Sequence, residues 1–471
     1  MIDVNKKNKI LIIIISLIVL IGIYLLYNTY ALTTKVTNND GYYTIELTDS
    51  NIVSLKANEE KTVIYQINNT NNGTVSYGVA YNNSNIEVKV YSDSKDKVTG
   101  TIGANDNKYV KLHLKNKTSS NTTVEITAVM GYENGGDLIV PSASTLVTGT
   151  YTAPISLAKY ITNLYTNASK STVTNNSITY NYATSESLMN DRLGGTTSSL
   201  DGGNIRYYGA SPNNYVYFNC ETYPSTNCEL WRIIGVFDGK IKLMRNESIG
   251  GMAYDAGYTN DWSSAALMKL LNPEYESESV GGSLYYNSKS GTCYNSRRGI
   301  TASCDFTNTG IKNDITRNMI AKTTWNLGGW TTAVAYPNAM YVYERGTTVY
   351  SGNSTTWTGK IALPYPSDYG YAANFNTCSG TLNNYSNCNS VNWMKNVMIK
   401  NHNDANLLTA NSSENDVVFR VITSGFVYGE SGEMMDFVDY AKTIVPVLYL
   451  NSKQIIIGGD GSQNNPYQLK A

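Results

Sequence analysis

The sequence predicts a multidomain chain: an N-terminal transmembrane helix, then an all-β sandwich, then a loop-rich α+β domain. Three observations predict it. A single long apolar run opens the chain, residues 35–150 alternate with period two, and the last 270 or so residues mix strand-like and helix-like runs with all six cysteines. At 471 residues there is room for about three domains of ~150 residues each. Charged residues are only 15% of the chain, below the usual ~25%, and the missing polarity comes from Asn, Ser, Thr and Tyr. Hydrophobic residues at 41% and aromatics at 11%, with 39 Tyr against 7 Phe, favour folded strand over disorder. With 36 Lys+Arg against 37 Asp+Glu the net charge is −1, so no basic surface offsets phosphate repulsion and a nucleic-acid partner is excluded. Two His exclude most His-rich metal or acid–base sites.

The first element is the membrane segment. Ile10 to Tyr27 is apolar apart from Ser16 and Gly22, and its length suffices for a bilayer core of ~30 Å. Lys6, Lys7 and Lys9 precede it, which places residues 1–9 in the cytoplasm as a tail, 10–30 in the membrane as a signal anchor, and the rest outside. A cleaved leader ending near Thr29-Tyr30-Ala31 is the alternative, but the run is longer than the ~7–15 residues of a leader's apolar stretch. The expected localisation is the cell membrane, single-pass, with an extracellular ectodomain.

Residues 35–150 follow as a spacer domain. Tyr42–Leu47, Lys61–Ile67, Thr74–Tyr81, Ile86–Tyr91, Lys108–Leu114 and Thr122–Val129 each alternate, and clusters such as Asn68-Asn69-Thr70-Asn71-Asn72-Gly73 separate them. About seven short strands in this length suggest an immunoglobulin-like sandwich without an inter-sheet bridge. His113, between Leu112 and Leu114, falls on the outward face.

Residues 154–199 read as a connector. Pro154 to Tyr165 places Leu157, Ile161 and Leu164 on one helical face, and Asn167–Glu186 is the least ordered stretch. Residues 200–471 form the distal domain. Tyr215–Phe218, Leu230–Phe237 and Ile241–Met244 read as strands, with Asp238-Gly239 a hairpin turn. Helices are expected from Ser263 or Ser264 to Leu271, over Ile311–Met319 and over Asn338–Arg345. Val417–Ile422 and Thr443–Leu450 return to strand.

The six cysteines fall into three close pairs, Cys220 and Cys228, Cys293 and Cys304, Cys378 and Cys388. Of the 15 possible pairings the three local ones are expected, each closing a polar loop. The spacings are too wide for zinc knuckles, so disulfides in an oxidising compartment are the reading and no metal is expected.

Several strings resemble a known group. Leu157-Ala158-Lys159-Tyr160-Ile161-Thr162-Asn163-Leu164-Tyr165, Trp231-Arg232-Ile233-Ile234-Gly235-Val236-Phe237-Asp238-Gly239, Lys360–Ala372, Val445-Pro446-Val447-Leu448-Tyr449-Leu450 and Gly459-Asp460-Gly461-Ser462 resemble, in that order, membrane-anchored surface proteins of low-GC, gut-dwelling Firmicutes and their relatives. The resemblance covers about 155–471 and brings no activity with it. More distantly the domain resembles the C-type-lectin and formylglycine-generating-enzyme superfamily, which implies a C-type-lectin-like α+β fold. No Cys follows Cys388, so the enzyme's reactive late cysteine has no counterpart.

Chemistry-bearing residues are few. His402 lies in a polar loop without a nucleophile motif. Asp255 with Asp261, and Asp436 with Asp439, are the carboxylate pairs, read as turn residues. Asp460 lacks the acidic series of an EF-hand and reads as a turn. No phosphate loop or dinucleotide fingerprint is present, so no cofactor and no catalytic residue are assigned. The candidate ligand contacts are aromatic: Trp262, Trp330, Trp357 and Trp393, in polar surroundings where rings stack on sugars or anchor interfaces. The expected function is adhesion or recognition, a distal domain binding an extracellular glycan or protein. The alternatives are an exported glycan hydrolase and a structural envelope protein. Residues 360–373 are expected in the core, with Ser367 capping a turn and Asp368 supporting it at a cost of at most ~1 kcal/mol on substitution by Asn; the alternative makes Asp368 an active-site acid flanked by Tyr365 and Tyr369.

Overall fold

The computed structural model describes residues 37–39, 44–47, 51–70, 72–92, 99–131, 137–192, 202–257, 259–296, 299–399, 403–430 and 437–470. The chain divides into two compact units, Met1–Ala153 and Pro154–Ala471.

The first unit is a two-sheet sandwich. Its strands are β1 (Thr37–Asn39), β2 (Thr44–Leu47), β3 (Ile52–Leu55), β4 (Glu60–Asn69), β5 (Val75–Tyr81), β6 (Ile86–Tyr91), β7 (Gly100–Ile102), β8 (Asn107–Asn116), β9 (Thr122–Gly131), β10 (Thr145–Leu146) and β11 (Thr150–Tyr151). One sheet runs β1-β2-β4-β8-β6-β11, the other β10-β5-β9-β3 with β7 on β5. The alternation seen in the sequence is the reason. In β4, Val63, Tyr65, Ile67 and Asn69 are buried while their neighbours are half-exposed, so every second side chain enters the core. Val110, Leu112 and Leu114 of β8 meet them there with Val53, Val79 and Ile126 from the opposite sheet. His113 faces away from that core, yet it is buried: Tyr151 of β11 stacks on its ring at 3.5 Å and 7°.

The second unit is organised by a nine-stranded antiparallel sheet. Its strands are β12 (Ser171–Asn175), β13 (Ile178–Ala183), β14 (Leu188–Asn190), β15 (Ile205–Tyr207), β16 (Tyr215–Phe218), β17 (Glu229–Phe237) and β18 (Lys240–Arg245). The short β19 (Gly251–Met252) follows, then the hairpin β20 (Ser290–Ser296) and β21 (Ile300–Asp305), the pair β22 (Thr323–Asn326) and β23 (Thr356–Gly359), and β24 (Ile361–Ala362). The last strands are β25 (Ala405–Ala410), β26 (Val418–Val421), β27 (Val427–Tyr428), β28 (Lys442–Thr443), β29 (Val447–Tyr449), β30 (Ile455–Gly458) and β31 (Gln468–Lys470). The main sheet runs β12-β13-β14-β15-β17-β18-β29-β24 with β16 also on β17, and a five-stranded sheet runs β19-β28-β25-β26-β27. Asp238 and Gly239 take φ of 48° and 73°, the left-handed pair a tight hairpin between β17 and β18 requires. Gly235 lets β17 approach β15 closely, since a Cβ there would stand 2.2 Å from the Ile205 carbonyl oxygen.

The longest helix of this unit is α1 (Leu157–Asn167). Ser156 caps it by accepting the Lys159 N–H, so it starts later than Pro154 suggested, and Leu157, Ala158, Ile161 and Tyr165 are buried against the sheet. Five shorter α-helices follow among the described residues: α2 (Ala266–Leu271), α3 (Asp314–Met319), α4 (Pro337–Glu344), α5 (Pro366–Tyr371) and α6 (Trp393–Met398). Asp255, not Ser263 or Ser264, accepts the first N–H of α2.

Two expectations are corrected. The chain is mostly β-sheet, 39% strand against 14% helix, with sheets that are not closed. A transmembrane helix, an immunoglobulin-like sandwich and a C-type-lectin-like α+β domain therefore do not describe its class. Polar segments read as linker are strands: β12 and β13 fall within Asn167–Glu186; two of the expected helices shrink, to Ala266–Leu271 and Asp314–Met319, while the third is found at Pro337–Glu344. The second correction is to localisation. Among the described residues no helix is long and apolar enough to cross a membrane, and the anchor expected at 10–30 lies outside them, so single-pass membrane placement is withdrawn.

Three disulfides join Cys220 to Cys228, Cys293 to Cys304 and Cys378 to Cys388. Cys293 and Cys304 staple the β20–β21 hairpin near its middle.

Candidate functional site

The densest chemistry of the second unit lies under the central strands. Arg206 of β15 and Lys242 of β18 point to one side of the sheet, where α5 and the end of α4 cover them. Arg206 Nε donates to Asp191 Oδ2 at 2.5 Å and its Nη1 to Asp368 Oδ1 at 2.9 Å. Lys242 Nζ donates to Asp368 Oδ2 at 2.5 Å. All four side chains are buried. Burial opposes the charge on Asp368, but Lys242 and Arg206 outweigh it and hold the carboxyl below its usual range. Burial pulls the Lys242 ammonium down to about 8 in spite of Asp368.

The next carboxylate behaves oppositely. Glu344, the last residue of α4, accepts the Ser367 N–H at 2.8 Å and the Ser367 hydroxyl at 2.5 Å. Burial pushes it up to about 7, against the pull of Arg345 and Ser367. Helix α5 begins with Pro366 at its first position, and the Tyr365 N–H donates to Asp368 Oδ2. Ser367 is thus inside the helix and serves Glu344; Asp368 does more than support a turn.

Arg345 carries this buried layer to the surface. Its Nη1 donates to Glu344 Oε2 at 3.1 Å and to the Tyr341 carbonyl at 3.3 Å. The guanidinium lies 3.4 Å from the centre of the Tyr341 ring. Among the described residues its Nε and Nη2 make no hydrogen bond, and its side chain remains 22% exposed. It lines a cleft of about 360 Å³ together with Asn204, Lys240, Thr323, Asn326, Tyr341 and Tyr449, with Asp238 at the β17–β18 turn. Asn204 fixes the wall by donating to the Tyr341 hydroxyl at 3.1 Å and to Asp191 Oδ2 at 3.0 Å. Arg345 and Lys240 against Asp238 leave the lining with one net positive charge (two minus one).

None of the sequence-derived aromatic candidates lines this cleft. Trp262 and Trp393 are each 1% exposed and are core residues, a correction to their reading as ligand contacts. Trp262 packs against Tyr254 and Trp357, and Trp393 donates its indole N–H to the Tyr207 carbonyl at 3.1 Å. Trp330 and Trp357 keep part of their surface, Trp330 stacked on Tyr343 at 4.0 Å. Polar flanks misled because this core buries many Asn and Tyr side chains among its aliphatic residues. Asp255 and Asp261 accept backbone N–H groups at the entry to α2, and Asp460 accepts the Ser462 N–H in its turn. Asp439 is buried, while His402 and Asp436 lie outside the described residues. Among the described residues no cluster of His, Cys, Asp and Glu is arranged to hold a metal.

Arg345 and Tyr341 escaped the sequence reading. The signal available was their i, i+4 spacing at the end of an expected helix, which puts a guanidinium over a phenol ring. No family model matches the chain, and no curated protein is significantly similar to it.

Proposed function

We propose that the second unit is a recognition module, and that the cleft at Arg345 takes an anionic, hydroxyl-rich ligand, in class an acidic glycan. The observation that carries this reading is Arg345 itself: two of its three guanidinium nitrogens make no bond within the described residues, in a cleft the side chain lines. A fixed planar fork of donors suits a carboxylate, because two parallel N–H···O bonds form at once. Thr323, Thr324 and Asn326 offer neutral partners for hydroxyls, and the half-buried Tyr449 offers ring surface for a sugar. At about 360 Å³ the cleft is near the small end of ligand pockets, ~300–1,000 Å³, so it suits the terminal residue of a larger ligand.

Binding is favoured over hydrolysis. Glycosidase chemistry uses two carboxyl groups flanking the bond, and among the described residues Asp238 is the one carboxylate in the lining. Asp191 and Asp368 are spent on buried cations. The test is a glycan array probed with the whole chain. Oligosaccharides ending in a uronic or sialic acid should be retained, and their methyl esters should not. Equal retention of neutral glycans would contradict the proposal.

A further inference from the structure

A second pocket has the opposite polarity. It has a volume of about 270 Å³ and lies between α1, the turn after β13, β15 and the β30–β31 turn. Tyr160, Tyr207, Tyr467, Asn213, Glu186 and Asp460 supply its polar and aromatic lining, and among the described residues no Lys or Arg lines it. The rings of Tyr160 and Tyr467 meet edge to face, 5.7 Å apart at 72°, so they stand as two walls near a right angle. The hydroxyls of Tyr207 and Tyr467 lie 3.5 Å apart. Burial pushes Tyr467 up to about 12, which keeps that phenol neutral at ordinary pH.

The walls are preformed. Tyr215 N–H donates to the Gly461 carbonyl, Tyr467 N–H to the Tyr215 carbonyl and Tyr217 N–H to the Tyr467 carbonyl, which ties the β30–β31 turn to β16. Asp460 is held in its turn by the Ser462 N–H and by the Ser462 and Asn465 side chains. Glu186 has one side-chain hydrogen bond, from the Ser185 hydroxyl at 3.2 Å, and is half-exposed.

We infer that this pocket binds a primary ammonium group, such as the end of a lysine-like or diamine ligand. An ammonium brings three N–H donors and no acceptor. The lining holds two carboxylates, three phenols and an amide, with π faces that attract a cation. A quaternary ammonium would use the rings and leave those acceptors without donors. An anion would meet two carboxylates and no cation. The volume lies below the ~300 Å³ at which whole small ligands are usually enclosed, so a headgroup with its stem in solvent fits.

The test is calorimetric titration of the whole chain at low ionic strength with 1,5-diaminopentane, tetramethylammonium and glutarate. In Arg345→Met, which removes the anion-binding guanidinium, the diamine should bind and the other two should not. Glu186→Gln should weaken the diamine about tenfold, the loss expected for one charge-assisted hydrogen bond. Its melting temperature should stay at the wild-type value, because Glu186 anchors nothing in the core. Arg345→Met should leave diamine binding unchanged, which separates this pocket from the cleft at Arg345. Absence of diamine binding, binding of tetramethylammonium at equal strength, or an unchanged affinity in Glu186→Gln would each overturn the inference.

Discussion

Lys242 Nζ stands 2.5 Å from Asp368 Oδ2, and both side chains are buried although 126 residues separate them in the chain. The other oxygen of Asp368 takes Arg206. One carboxylate therefore bridges two buried cations, Asp191 supplies the second negative charge, and α5 is fixed against β15 and β18. A buried charge left without its partner is costly, while the intact pair adds little net stability over apolar residues of the same shape.

That asymmetry gives the first prediction. Asp368→Asn leaves Lys242 without a carboxylate and Arg206 with Asp191 as its ion-pair partner, so it should destabilise the second unit by about 3–5 kcal/mol. Pairing it with Lys242→Met should restore part of the loss. Urea unfolding of the single and double variants measures both. A cost of ~1 kcal/mol, as for a turn residue, would show that the ion pairs carry little.

Glu344 sets a dependence on pH. Its folded pKa, about 7, lies above its ordinary value of 4.5, so the folded state holds a proton that the unfolded chain has lost. Its contribution is present in full below about 4.5 and is lost as pH rises through about 7, roughly 3 kcal/mol across that window. Glu344→Gln should remove this slope from thermal melts recorded between pH 4.5 and 8. An identical slope in the variant would place the titration elsewhere.

His113 predicts the reverse trend in the first unit. Burial under Tyr151 lowers its pKa, although Glu60 pulls the other way. The folded state then favours the neutral ring, and stability present above the ordinary 6.5 should decline as pH falls below it. Tyr151→Ala uncovers the ring and should flatten that decline, as followed by the unfolding transition of the first unit.

The disulfides should each contribute roughly 2.5–3 kcal/mol by restricting the unfolded chain. Paired Cys→Ser variants, compared one bridge at a time by denaturant unfolding, measure this. Peptide mapping without reductant should return the three local pairs and no crossed ones.

Much of the framework was legible because strand and turn signals are local. Lys61–Ile67 and Lys108–Leu114 alternate, and they are the centres of β4 and β8. Asp238-Gly239 marked a hairpin by chemistry alone. Pro446 explains why the run Thr443–Leu450 breaks into β28 and β29, since proline cannot continue the ladder. The edge hairpin β12–β13 was hidden because its polar residues mimic a linker: Ser171, Thr172 and Thr174 face solvent, while Asn175 and Asn181 are buried. The site was not legible. Arg206 and Asp368 are 162 residues apart, and no periodicity or spacing connects a cation to a carboxylate across that distance. Trp262 and Trp393 misled for a related reason: exposure depends on which segments return to cover a residue, and polar neighbours in sequence do not report it.

The central claim is that Arg345 recognises an anion in the cleft. The direct measurement is calorimetric titration of the wild-type chain, Arg345→Lys and Arg345→Met with a uronic-acid oligosaccharide and with its methyl ester. Arg345→Lys keeps the charge and loses the planar fork, so it should bind more weakly, and Arg345→Met should lose about 1.5–3 kcal/mol of affinity, tenfold or more. Wild-type binding of the acid with none of the ester is the predicted result. Equal affinity of all three proteins for the acid, or equal binding of acid and ester by the wild type, would contradict it.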